Sequence, residues 1–316
     1  MVKRKTLTRA AAGRPLRYYL KRDRFYYLLI ALPMLYYFVY KYLPMFGIVI
    51  AFQDYKPFLG IQGIFSADWV GLKHFARFFN SIYFGRLIRN TFLISFYNLL
   101  FSFPAAILLA LMLNEVRARR FKRVVQTVSY LPHFLSAVIV CGMIRQLLST
   151  DGGLVNSLVV ALGGEPIYFM GSTRYYRTYY TASSVWQSIG WNSIIYLAAM
   201  SNIDTSLYEA AEIDGAGIFK KMWHVTLPAL LPIISIMLIF RMGDLLNVGH
   251  EKTLLLYSSL TYEVADIIST YVYREGLEGM KYSYTSAVGL FTSLISMVMV
   301  LLSNYAAKKM GQEGVW

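Results

Sequence analysis

Leu207 to Pro228 reads LYEAAEIDGAGIFKKMWHVTLP. From Tyr208 to Ile213 the residues favour helix. Gly215 and Gly217 tolerate backbone angles that other residues resist, so they end that helix and turn the chain. Ile218 to Val225 form a second short helix, and Pro228 suits the first turn of the next one. An unbroken apolar run, about 227–246, continues directly from this stretch. The pattern therefore predicts a helix–turn–helix lying on one face of a membrane and leading straight into a spanning helix.

The rest of the chain has the composition that such a placement requires. Its 316 residues are 57% hydrophobic and only 15% charged, with mean hydropathy +0.46. Soluble domains are about a quarter charged. So apolar a chain must turn much of its outside to lipid. The net charge of +14 does not indicate nucleic acid, because the basic residues gather at the ends of apolar runs, as they do on the cytoplasmic side of membrane proteins. Cys141 lies inside an apolar run and is expected to be a small packing residue. His74, His133, His224 and His250 are too scattered for a metal site, and no phosphate-binding Gly-x4-Gly-Lys-Ser/Thr loop is present.

Six runs are long enough to cross a bilayer, which takes roughly 20 residues. They lie at about 25–46, 90–113, 124–148, 181–200, 227–246 and 285–305. The first has no small-residue cleavage site behind it and is expected to remain as a span. Lys3, Arg4, Lys5, Arg9, Arg14, Arg17, Lys21, Arg22 and Arg24 precede it in a basic tail, 1–24. Arg117, Arg119, Arg120, Lys122 and Arg123 separate the second and third runs, and Lys308 and Lys309 open the tail 306–316. Six spans put all three clusters on one side, which predicts cytoplasmic termini. The 205–228 loop falls on that side too, yet Asp204, Glu209, Glu212 and Asp214 outnumber Lys220 and Lys221. A loop that defies the charge bias is expected to face a protein partner. The segment between the last two spans, with Lys252, Asp266 and Arg274, is expected to form an external loop.

The loop resembles the EAA motif of ABC importer permeases: Glu-Ala-Ala, three residues, Gly, nine residues, Ile, one residue, Leu-Pro. Here these are Glu209, Ala210, Ala211, Gly215, Val225, Leu227 and Pro228, with Val225 in place of the isoleucine. The resemblance runs along almost the whole chain, through Pro44-Met45-Phe46-Gly47, Trp69-Val70-Gly71-Leu72 and Tyr130-Leu131-Pro132-His133-Phe134. It is closest to the maltose-type permeases, in the branch that carries complex oligosaccharides, some of them acidic and uronate-containing. It implies the six-helix type I importer fold in a bacterial plasma membrane. It also implies a second homologous permease as heterodimer partner, two ATPase subunits that hold ATP and Mg, and an extracytoplasmic solute-binding protein. No cofactor is implied in this chain. The EAA residues would contact an ATPase.

Polar residues inside spans usually face a bundle interior or a water-filled path. Arg241 and Asp244 are three apart and would share a face, as path lining or as an ion pair locking helices. Gln187 and Trp191 are four apart, the amide-plus-ring combination that suits a sugar, and Asn192 and Asn98 complete the candidate path. Interhelical hydrogen bonding would explain these residues equally. Trp186 and the run Tyr175 to Tyr180 are expected in the aromatic belt at the membrane surface. Two other functions stay open: a permease for peptides or other small solutes, since the EAA loop is common to many substrate classes, and a membrane-embedded enzyme, for which no catalytic constellation is visible.

Overall fold

The computed structural model describes residue 18, residues 21–312 and residues 314 and 315. Most of the basic tail, from Lys3 to Arg17, lies outside the described residues. The described part is helical, with one isolated bridge, Gln53 to Trp69. Its main helices are α1 (Arg24–Phe52), α2 (Phe84–Glu115), α3 (Arg119–Phe134), α4 (Ala137–Leu147), α5 (Thr173–Met200), α6 (Thr205–Ile213), α7 (Ile218–Gly243), α8 (His250–Leu256), α9 (Ile268–Tyr273) and α10 (Tyr282–Lys309). It is an all-α integral membrane protein.

Four of these, α1, α2, α7 and α10, are long and apolar enough to cross a membrane. The expected third span is not one straight helix: α3 and α4 meet at a bend of 102°. Pro132 removes an amide donor just before the break, and Ser136 restarts the helix by accepting from the Ile139 amide at 3.4 Å. The fourth, α5, begins at Thr173, well before the expected Thr181. It has the length to span but carries too many Tyr, Ser and amide side chains to qualify on apolarity.

Two Leu-Pro pairs show a common local device. Proline has no N–H to return to residue i−4, and its ring crowds that carbonyl. Before Pro44, the Leu43 amide reaches back to the Phe38 carbonyl. Before Pro228, the Leu227 amide reaches back to the Met222 carbonyl. Each is a single wide π turn inside a continuous helix. The second short helix expected at 218–225 therefore does not stand alone, because the π turn carries it into the span and makes α7 one rod.

Three buried clusters hold the bundle, one of them joining Leu87 of α2 to Ile268 and Tyr271 of α9 and to Tyr284 and Val288 of α10. At the end bearing the 205–228 loop, Ala106, Ala110, Tyr196, Met200 and Leu230 join α2, α5 and α7. At the far end, Ile94, Val140, Tyr176, Tyr180, Leu256 and Ile267 join α2, α4, α5 and the 250–281 segment. Tyr176 and Tyr180 are 0% and 1% exposed. These tyrosines are core and not surface belt, because the chain after α7 folds back over them. α5 meets α3 at Gly190, where a Cβ would sit 2.1 Å from the Ser129 carbonyl oxygen.

Candidate functional site: a polar cavity between the helices and the 205–228 loop

On α2, Ile94 belongs to the far cluster and Ala106 to the near one. The stretch between them rises about 18 Å. That middle stretch is not filled by packing. A cavity of about 590 Å³ opens there, lined by Ser95, Asn98 and Ser102 of α2, Ser184, Gln187 and Ser188 of α5, His133 at the α3–α4 break, and Arg241, Asp244 and Asn247 at the end of α7. A smaller cavity of about 220 Å³ shares Phe103 and Arg241 with it and adds Trp191, Asn192 and Tyr196. All the candidate path residues thus border one of two adjoining cavities. Hydroxyls and amides in this number are out of place in a lipid-facing bundle, where each unmet polar group is costly.

The lining is only partly satisfied from within. Ser102 and Ser188 share a hydrogen bond of 3.1 Å. Gln187 donates to the Leu135 carbonyl, 3.1 Å away, at the helix break. The Asn98 Oδ1 and Ser95 Oγ atoms are buried without a partner. Irregular backbone at membrane depth is tolerated where it lines such a cavity, and His133, next to the break, lies flat on the Trp191 ring at 4.5 Å and 4°. One face of Trp191 is therefore covered, and Phe134 meets it edge-on at 5.5 Å.

Arg241 and Asp244 both face the cavity, and no ion pair joins them. α7 ends at Gly243, and Asp244 is its cap, with φ −87° and ψ 4° and its amide still bonded to the Phe240 carbonyl at 3.2 Å. Neither has a salt-bridge partner among the described residues. Ser95, Ser102, Ser184 and Ser188 do show in the sequence as hydroxyls at helical spacing, but that signal is weak, since serine also sits in tight helix contacts. Lys252 and Asp266 carry no such signal, because both read as ordinary loop charges. The structure buries them, Asp266 completely.

The 205–228 loop has a different character. Asp204 caps α6 by accepting from the Ser206 amide at 2.9 Å, and that bond holds its carboxyl below the usual range. α6 ends in a paired reverse turn: the Ala216 amide donates to the Ala211 carbonyl at 2.8 Å and the Gly215 amide to Glu212 at 3.0 Å. This closure needs a left-handed residue, and Gly215 has φ +73°. Lys221 donates to Glu212 at 2.5 Å across the turn. Tyr208 and the buried Thr226 are hydrogen-bonded at 2.9 Å, which ties α6 to the root of α7. Glu209, Ala210, Gly215 and Pro228 are exposed at the surface of this loop, and Ala211, Val225 and Leu227 are half-buried. Around them Ile213, Phe219 and Trp223 are 88%, 85% and 69% exposed.

A broken-helix bundle with a polar cavity at its centre and a rigid two-helix loop at one end is the type I permease fold. Residues 102–312 match the family described as "Binding-protein-dependent transport system inner membrane component", and the chain belongs to that family. It is 48% identical over 295 residues to the polygalacturonan/rhamnogalacturonan transport system permease protein YteP of Bacillus subtilis (strain 168), covering 93% of this chain and 91% of that one. It is 45% identical over 297 residues to protein LplB of the same organism, covering 94% and 92%. Among solved structures, it superposes with TM-score 0.86 and 38% identity on a chain of a bacterial alginate ABC transporter. That transporter was crystallised in complex with alginate pentasaccharide-bound periplasmic protein, and the match covers 96% of this chain and 100% of that one. The chain is a transport permease subunit.

Proposed function

We propose that this chain forms half of the translocation path of a bacterial importer for acidic, uronate-containing oligosaccharides. The observation that carries the reading is the mid-depth cavity: hydroxyls and amides fit sugar hydroxyls, and Arg241 lies there without an ion-pair partner among the described residues. Relatives named for polygalacturonan/rhamnogalacturonan and alginate transport support the substrate class. Asn98, Gln187, Trp191, Asn192, Arg241 and Asp244 would contact the passing sugar. A second homologous permease would close the other half of the path, and an extracytoplasmic binding protein would deliver the sugar. Six spans, with α3–α4 as the third and α5 as the fourth, put both termini and the 205–228 loop in the cytoplasm. ATP and Mg would bind two ATPase subunits, each seated against a permease loop such as this one. Ile213, Phe219 and Trp223, apolar and exposed on the aqueous side, support that docking surface.

The test is a complex reconstituted in proteoliposomes with its binding protein. Trigalacturonate should stimulate ATP hydrolysis and be taken up, and galactotriose should do neither. Equal handling of both would remove the acidic reading. Reporter fusions after Arg120 and after Lys309 should be cytoplasmic, and one near Glu263 external. An external signal at Lys309 would overturn the six-span arrangement.

A further inference from the structure

Lys252 is the second cation of the cavity region, and nothing in its sequence neighbourhood marks it. It sits on α8, which the chain folds back into the bundle after α7. The residue is 8% exposed. Its Nζ donates to Ser184 Oγ at 2.7 Å and to the Tyr180 carbonyl at 3.2 Å. It also lies 4.8 Å from the centre of the Tyr180 ring. No carboxylate pairs with it among the described residues. Ser184 itself lines the cavity and donates its own proton to the Tyr180 carbonyl at 2.8 Å. One hydroxyl therefore separates a buried ammonium from the path.

A buried charge without a counter-ion is costly, so a protein that keeps one has a use for its field. The neighbours do not cancel it. Facing Lys252 are Tyr180 from α5 and Cys141 from α4, a phenol and a thiol, and its neighbour on α8, Glu251, is exposed and forms no ion pair with it among the described residues. Burial pushes the Lys252 amine down to about 8, with Cys141 acting in the other direction, which leaves it mostly protonated near neutrality. Arg241 borders the same cavity from α7, and Asp244 is the single carboxylate there. The balance is positive. At low dielectric, an ammonium one residue behind the wall still acts strongly on a charge in the cavity.

We infer that Lys252 is a specificity-determining residue: its ammonium, held behind Ser184, works with Arg241 to make the cavity favour a sugar bearing a carboxylate over a neutral one. This rests on the acidic-oligosaccharide reading above. The alternative is a purely structural clamp that fastens α8 to α5.

The two are separated by a ratio measured within one preparation. Reconstituted wild-type complex and the Lys252→Met and Lys252→Arg variants are assayed for uptake of trigalacturonate and of its methyl-esterified form. Selectivity is kcat/KM for the acid over that for the ester, which does not depend on how much protein is folded. Lys252→Met should lower the ratio by about tenfold, equivalent to about 1.4 kcal/mol, and Lys252→Arg should keep it within about twofold of wild type. An unchanged ratio in Lys252→Met, with both rates falling together, would make the residue a clamp and overturn the inference. A wild-type ratio of one would instead defeat the acidic reading itself. Should Lys252→Met fail to assemble, Lys252→Gln, which keeps a donor to the Tyr180 carbonyl, carries the same comparison.

Discussion

The two ends of this bundle handle polar and apolar groups in opposite ways. At the loop end, large apolar side chains stand in the open: Ile213 and Phe219 are each more than four-fifths exposed. At the far end, charge is taken inside. Asp266 is fully buried and accepts from Arg274 at 2.9 Å, Arg86 at 3.3 Å and Thr270 at 2.9 Å. Asn90 of α2 donates to the carbonyls of Glu263 and Asp266, and accepts from Arg177 of α5 at 3.0 Å. The far end holds a polar network that staples the 250–281 segment across α2 and α5. The loop end carries the docking face proposed above. The difference predicts that damage at the far end is felt as lost stability, and damage at the loop as lost function with the fold intact. Five substitutions at four positions test that division, ranked by expected loss of thermal stability.

The largest loss belongs to Asp266→Ala. It leaves Arg86 and Arg274 without their shared counter-ion, and breaking a buried pair in this way costs about 3–5 kcal/mol. The purified chain should melt well below wild type in detergent, or fail to accumulate in the membrane. A melting temperature equal to wild type would mean that something other than this network holds the segment down.

Gly190→Ala comes next. A Cβ there overlaps the Ser129 carbonyl oxygen at 2.1 Å, and backbone cannot swing aside as a side chain can. Overpacking of this kind costs about 1–3 kcal/mol. Because Gly190 sets the approach of α3 to α5 beside the cavity, the His133–Trp191 stack should open as well. Thermal unfolding checks the first effect and Trp191 fluorescence the second.

How far such features can be read in the sequence depends on how local their cause is. The loop is legible because its geometry is set within a few residues: the acidic cap, the left-handed Gly215 and the Leu-Pro step act on their own neighbours. The apolar runs are legible for the same reason. The features that escape a sequence reading involve distant partners. The bend of 102° looks from the sequence like one more proline in a span. Lys252 and Asp266 look like solvated loop charges until α8 and α9 fold back against α4 and α2. Arg241 and Asp244 have ion-pair spacing, and the Asp244 amide still bonds the Phe240 carbonyl at 3.2 Å, yet the two side chains line the cavity without pairing. The serines of α2 and α5 become a cavity lining only once the two helices are set side by side.

Gly215→Ala should cost little. An added Cβ meets no atom within 4 Å, so the penalty is the left-handed backbone alone, about 1 kcal/mol. Gly215→Pro goes further, since proline holds φ near about −65° and removes the amide that donates to Glu212. Its melting temperature should still be close to wild type, because the affected turn is exposed and lies outside all three buried clusters. Its uptake should be lost, because the turn aims α6 relative to the α7 rod.

Glu209→Lys is the smallest change to stability and the sharpest test of the division. Glu209 is exposed and has no partner among the described residues, and substitutions at such positions usually stay within about 0.5 kcal/mol. The chain should insert and melt as wild type does. What changes is the face offered to the ATPase: a carboxylate able to meet a basic group becomes a like charge. In the proposed assembly, motion generated by an ATPase pair would reach the spans through a rigid element, and α6 is tied to α7 at both Glu212–Lys221 and Tyr208–Thr226. Glu209→Lys should therefore leave the fold untouched and abolish uptake, either by weakening ATPase docking or by separating hydrolysis from substrate. Co-purification of the ATPase distinguishes these two routes. Normal uptake in both Glu209→Lys and Gly215→Pro would show that the exposed end does not transmit the motion, and the contrast between the two ends would lose its functional meaning.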